Sequence, residues 1–175
     1  MSRETSTARF AAAVYRPDGG DRMALLRFVE HLQADGVRVG GLLQEAQYDS
    51  QGVIAGVYAI DVASGRRIPI TRPVKSDEEC GLDVSALVET SGIIRQAIDE
   101  RFDLIVVEKF GEQEQSGKGL IDEILQGIAE GIPLLISVPE VALPLWQERT
   151  GELGAVLGFN EESFRQWWQQ INQGN

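Results

Sequence analysis

The sequence predicts a three-layer α/β domain built on a mostly parallel sheet, with a β-hairpin inserted into the alternation. Three observations predict it. Short apolar runs at residues 10–15, 37–43, 104–107 and 133–138 alternate with segments whose apolar residues recur every three or four positions. Two strand-like runs, 53–61 and 66–70, are joined by a short turn containing Ala63, Ser64 and Gly65. The run Leu104-Ile105-Val106-Val107 is apolar without a break, as a strand covered on both faces requires. It hands over directly to Glu108, Lys109, Phe110 and Gly111, at the end of the strand where open α/β sheets bind ligands.

Each element has its own local reason. Residues 1–8 are polar and are expected to form a disordered N-terminus, leaving 9–175 as a single α/β domain. Residues 10–15 read as the first buried strand. The stretch 16–21 is rich in Gly, Pro and Asp and reads as a turn. Leu25, Leu26, Val29 and Leu32 follow at helical spacing, and Gly36 stops that helix. Residues 37–43 read as a second strand, followed by the hairpin. Residues 71–82 read as a polar loop, and Asp83 as the N-cap of a helix with Val84, Leu87, Val88, Ile94 and Ile98 on its apolar face. After the strand at 104–108, residues 112–119 read as a charged loop. Ile121, Ile124, Leu125 and Ile128 mark a helix ending near Gly131. Residues 133–138 form a further strand, 143–149 a helix and 155–157 a short edge strand. The last helix carries Phe164, Trp167, Trp168 and Ile171 on one stripe, facing the core or a homodimer contact.

Composition narrows the function. A net charge of −11 opposes a nucleic-acid or anionic-membrane surface, both of which need clustered Lys and Arg. No apolar run reaches the length that inserts into a bilayer, and the first residues lack a signal-peptide apolar region, so a cytoplasmic protein is expected. Cys80 and His31 each occur once, which leaves no disulfide framework and no Cys/His cluster for zinc. Any metal would rely on oxygen ligands, and the cofactor expected is therefore magnesium or none. Cys80 lies beside Asp77, Glu78 and Glu79, whose charge disfavours a thiolate, so it reads as structural. His31 has no nucleophile at a motif spacing and reads as a surface or structural residue.

The first turn has the layout of a phosphate loop. A strand, a Gly-containing turn and a helix N-terminus make a natural anion site. The full pattern is G-x-x-x-x-G-K-[ST]. Aligned to it, Arg16 and Asp21 stand at the two glycine positions, Arg22 at the lysine and Met23 at the hydroxyl. The loop is therefore degenerate. It is either a plain turn with Asp21 capping the helix, or a residual anion site using the amides of Gly19 and Gly20 with Arg16 or Arg22. The loop at 115–119, with Lys118 before a helix, is a second candidate anion contact, or a flexible connection. Glu108, Glu112 and Glu114 form either a cation pocket or a solvated loop, and Glu108 stands out because it ends a central strand.

The order strand, turn, helix, then Gly40-Gly41-Leu42, a hairpin and the segment 103–114 resembles the small nucleoside-triphosphatases of the P-loop class. In that resemblance Glu108 matches the acid that helps hold magnesium, Gly111 and Glu114 match, and Lys109 replaces the water-activating glutamate. The chain is also similar to an uncharacterised bacterial domain-of-unknown-function family whose members occur alone or linked to molybdate-transport ATPases. The residues carrying this likeness are Cys80-Gly81-Leu82-Asp83, residues 103–107, Phe110-Gly111-Glu112-Gln113-Glu114, Gly117-Lys118-Gly119-Leu120 and residues 131–135, over roughly 10–150. That family carries an amide residue at the place of Glu108. The resemblance implies a P-loop-NTPase-like fold, a link to molybdenum and an ABC-transporter-related partner.

Two functions follow as expectations. The first is a P-loop-like binding protein for a nucleotide, phosphate or oxyanion, with little or no catalysis and with Arg16, Gly19, Gly20, Arg22, Lys109 and Lys118 as ligand contacts. The alternative is a divergent magnesium-dependent nucleoside-triphosphatase, with Arg22 on phosphate, Glu108 on the metal and Glu112 or Glu114 orienting water. An adaptor with no small ligand is a third. The substitutions at Arg22, Met23 and Lys109 favour the first.

Overall fold

A computed structural model describes residues 8–70 and 84–173. The expectations for the N-terminal residues 1–7, the polar loop, Cys80 and the Asp83 cap lie outside the described residues.

The elements in order are β1 (Phe10–Tyr15), α1 (Ala24–Ala34), β2 (Val39–Tyr48), β3 (Ile54–Asp61), β4 (Arg67–Pro69), α2 (Val84–Asp99), β5 (Leu104–Val107), α3 (Glu112–Gln115), α4 (Ile121–Ala129), β6 (Leu134–Pro139), a 3₁₀ turn (Glu140–Ala142), α5 (Leu143–Thr150), β7 (Ala155–Gly158) and α6 (Glu161–Gln173). The described strands form one sheet in the order β4-β3-β2-β5-β6-β1-β7. The pairs β2–β5, β5–β6, β6–β1 and β1–β7 are parallel, and β2–β3 and β3–β4 are antiparallel. The hairpin therefore extends one edge of a parallel sheet.

Alternation along the strands sends side chains to two cores. On one face Ala12, Ile105, Val107, Leu134 and Ile136 pack with Ile94 and Ile98 of α2, Ile124 of α4 and Trp146 of α5. On the other, Ala11, Ala13, Leu104, Val106 and Leu135 pack with Leu25 and Phe28 of α1 and Phe164 and Trp167 of α6. The result is helices on both faces of a central sheet, three layers in all. The central strand β5 is fully buried, with Asp103 at its entry accepting the Arg38 N–H at 2.8 Å and Glu108 at its exit.

Four expectations need correction. Strand β2 starts at Val39 and runs on to Tyr48, because residues 43–48 have a partner in β3. The first part of the charged loop 112–119 is a helical turn, Glu112–Gln115. On α2 the buried positions are Ala86, Thr90, Ser91, Ile94, Ala97 and Ile98, while Val88 is 66% exposed, so the helix turns its small residues to the sheet. Trp168 is only half-buried, beside the fully covered Phe164 and Trp167.

Gly41 shows why a glycine stands inside a buried strand. Its φ is +108°, and a Cβ there would lie 2.0 Å from the Val106 carbonyl oxygen. The close approach of β2 to β5 thus has room for no side chain.

Candidate functional site

The carboxyl ends of β1 and β5, the middle of β2 and the second half of β6 meet at a small cleft of about 120 Å³, lined by Tyr15, Gly19, Arg22, Gln44, Glu108, Lys109, Ser137 and Phe159. Tyr15 ends β1, Glu108 and Lys109 follow β5 and Phe159 follows β7, while Gln44 lies within β2 and Ser137 within β6. Tyr15 closes β1 and meets Phe159 edge-on at 6.0 Å. Arg22 follows in the β1–α1 turn, donates to the Pro17 carbonyl at 2.7 Å and lies 5.7 Å from the Tyr15 ring centre. It has no carboxylate in ion-pair contact among the described residues.

Glu108 sits at the floor. Its Oε2 accepts the Gln44 backbone N–H at 2.5 Å, which ties the exit of β5 to β2. Burial pushes its carboxyl above the ordinary range, opposed by the Gln44 N–H and by the Arg22 charge. Burial also raises the Tyr15 phenol, with Arg22 lowering it and Glu108 raising it further. Lys109 is exposed and holds φ at +101°, a conformation uncommon for a residue with a side chain and of a kind that collects at ligand sites.

Ser137 completes the floor from β6. It is 2% exposed, yet its Oγ has no hydrogen-bond partner among the described residues. A buried hydroxyl without a partner costs on the order of 1–3 kcal/mol, so such a group in a cleft points to something that satisfies it.

The structure therefore brings together Gly19, Arg22, Glu108 and Lys109 of the sequence-expected residues. It places the others elsewhere. Arg16 pairs with Glu140 at 2.5 Å on the surface. Gly20 is exposed with φ +86°, and the Gly19 N–H donates to the Arg16 carbonyl at 3.3 Å inside the turn. Asp21 does not cap α1, whose N-cap is Met23 with no side-chain cap; it accepts the Met23 N–H at 3.0 Å within the turn and pairs with Arg27. Lys118 is exposed in the loop after α3. Glu114 accepts the Gly111 and Leu120 N–H groups, each at 3.2 Å, and so closes its own loop. Gly119 beside it holds φ +61°, a conformation that favours glycine, and a Cβ there would displace the Glu114 carboxylate. His31 lies on the surface between Glu161 and Arg165.

Sequence reasoning missed Tyr15, Gln44, Ser137 and Phe159. Ser137 had a signal: it is the hydroxyl within the apolar run 133–138, a position where a strand buried on both faces has no use for one.

The donors in the cleft do not fit a magnesium site. Glu108 is one carboxylate with one oxygen already taken, Met23 stands at the hydroxyl position, and Arg22 and Lys109 supply competing charge. Among the described residues no three His, Cys, Asp or Glu side chains gather as a metal group. No helix of the described residues is long and apolar enough to cross a membrane.

Comparison with known proteins agrees with this frame. The model of a family described as "Protein of unknown function (DUF2478)" matches residues 10–167. The chain belongs to that family. It is also 38% identical over 170 residues to the Molybdenum import ATP-binding protein ModC 2 of Bradyrhizobium diazoefficiens, covering 97% of this chain and 19% of that protein. The DUF2478 chain thus spans about a fifth of the length of that curated relative. Among solved structures it is similar to THEP1 from the hyperthermophile Aquifex aeolicus, with a TM-score of 0.66 and 20% identity over 93% of this chain and 96% of that one. That likeness shows that the two chains share their fold.

Proposed function

We propose that this DUF2478 protein binds a small tetrahedral oxyanion or phosphate group in the cleft between Arg22 and Ser137, and hydrolyses nothing there. The observation that carries the reading is the buried Ser137 hydroxyl, unpartnered among the described residues, in one cleft with an arginine that no described carboxylate pairs with directly. A hydroxyl donor and a guanidinium are complementary to an oxyanion. The cleft volume supports the same choice. At about 120 Å³ it is well below the roughly 300–1,000 Å³ of sites that enclose drug-sized molecules.

Little in the cleft supports hydrolysis. A phosphoryl-transfer site needs positioning, a metal and a group orienting water. Here the metal donors are incomplete, and Lys109 stands where the triphosphatase resemblance places the water-orienting acid. The similarity to a molybdenum importer's ATP-binding protein supports molybdate as the first oxyanion to test and an ABC-transporter-related partner as the setting. Residues 9–175 as one domain, in the cytoplasm and with a homodimer contact through Trp168, complete the reading.

A thermal-shift panel of phosphate, sulfate, molybdate and tungstate tests it. A ligand that binds only the folded state stabilises it by about 2.7 kcal/mol at one hundred times its Kd. At least one oxyanion should raise Tm, and the shift should shrink in both Arg22→Ala and Ser137→Ala. A panel that leaves Tm flat, or a shift in both variants as large as in wild type, defeats the reading.

A further inference from the structure

A second and larger chamber, of about 410 Å³, opens on the other side of Glu108. It is lined by Leu42, Ala59, Ile70, Leu87, Val107 and Leu120 as its apolar walls. Gln44, Glu108 and Lys109 line both this chamber and the oxyanion cleft, so the two adjoin along these three residues. The volume lies within the roughly 300–1,000 Å³ that small-molecule sites occupy, with apolar walls and few polar groups as such sites have.

Charge fixes which end of a ligand goes where. Arg22 and the unpartnered Ser137 hydroxyl belong to the small cleft. Glu112 and Glu114 line the large chamber, which repels an anion but accepts a neutral or cationic ring. The hydroxyl of Thr90, also in the wall, is already bonded to the Leu87 carbonyl at 3.0 Å and offers a ligand no unpaired donor.

From this we infer that the two chambers form one site for a phosphate ester with a compact aromatic body, its anionic group beside Arg22 and Ser137 and its ring between Leu87 and Leu120. The inference rests on the oxyanion reading of the small cleft and adds the rest of the ligand. It places the ring on the side of β2, β3 and α2.

Calorimetric titration with inorganic phosphate and with phenyl phosphate, on the full chain, tests it. The ester should bind at least about tenfold more tightly than phosphate, the order expected from burying one ring. Leu87→Phe fills the chamber and should abolish that advantage while leaving phosphate affinity unchanged. Gln113→Trp, half-buried at the chamber's edge, should do the same if Leu87→Phe fails to fold. Phosphate and phenyl phosphate binding equally would overturn the two-chamber site and leave the oxyanion reading standing. So would an advantage that survives both variants. Binding of neither compound would remove both.

Discussion

The backbone N–H of Gln44 donates to Oε2 of Glu108 at 2.5 Å, so the acid that ends the central strand is fastened to the neighbouring strand. Its position at the strand exit suits ligand chemistry, yet half of its carboxylate is engaged in holding β2 and β5 in register. Arg22 supplies the favourable charge, and burial supplies the unfavourable environment.

This balance gives stability a definite pH dependence. The folded carboxyl titrates above its unfolded value, so the native state binds a proton that the unfolded chain has already released. Stability therefore falls as pH rises between the two values, and the penalty is complete above the folded one. Glu108→Gln should stabilise the protein at pH 7, with the gain fading as pH falls through the carboxylate range. Urea titrations at a series of pH values would measure it. A variant less stable than wild type at neutral pH would show that the Gln44 N–H bond and the Arg22 charge, and not burial, dominate.

Glu114 has a structural task. Glu114→Ala leaves the Gly111 and Leu120 N–H groups without their acceptor, and a lost buried hydrogen bond of this kind costs about 1–3 kcal/mol. The urea midpoint should drop accordingly while oxyanion binding is retained. Unchanged stability with lost binding would move Glu114 from the frame into the site.

Phe110 anchors the same segment from below. It is fully buried and meets Trp146 edge-on at 5.3 Å. Truncating a buried Phe to Ala costs about 3–5 kcal/mol. Phe110→Ala should therefore lower Tm sharply and loosen the turn that carries Lys109, which is visible as faster amide exchange at residues 108–115. A Tm within a degree of wild type would contradict this packing.

Turnover of ATP and GTP should be negligible, with or without magnesium. Aligned to the phosphate-loop pattern, Arg22 and Met23 stand at the lysine and hydroxyl positions, and arginine does not reproduce a lysine's compact charge. Phosphate release at roughly 1 per second, an ordinary enzyme rate, that disappears in Glu108→Gln would establish the divergent triphosphatase instead.

Much of the frame was legible because its strands are buried on both faces. Residues 10–15, 104–107 and 133–138 are apolar runs with no other use, and α4 and α6 carry strong helical periods. Where burial is one-sided or partial, the pattern blurs. The end of β2, Gln44-Glu45-Ala46-Gln47-Tyr48, is held by β3 and not by an apolar cover, so its residues look like a loop. Val88 fits a helical stripe, yet Thr90 and Ser91 take the core because their hydroxyls bond back to Leu87 and Val88. Within the site, Glu108 and Lys109 follow from strand polarity. Arg16 and Arg22 cannot be told apart by spacing, since only the fold puts Glu140 beside one and leaves the other in the cleft. Ser137 is invisible as a candidate contact until its hydroxyl is seen to have no partner among the described residues.

The most direct measurement is isothermal titration of molybdate and sulfate into wild type, Arg22→Ala, Ser137→Ala and Arg16→Ala. Wild type should bind at least one of the two saturably at a single site. Ser137→Ala should weaken that binding by roughly tenfold, the order expected for one hydrogen bond to a charged group, and Arg22→Ala by at least as much. Arg16→Ala, whose partner is Glu140, should leave it unchanged. No saturable heat from either anion, or a loss confined to Arg16→Ala, would contradict the account.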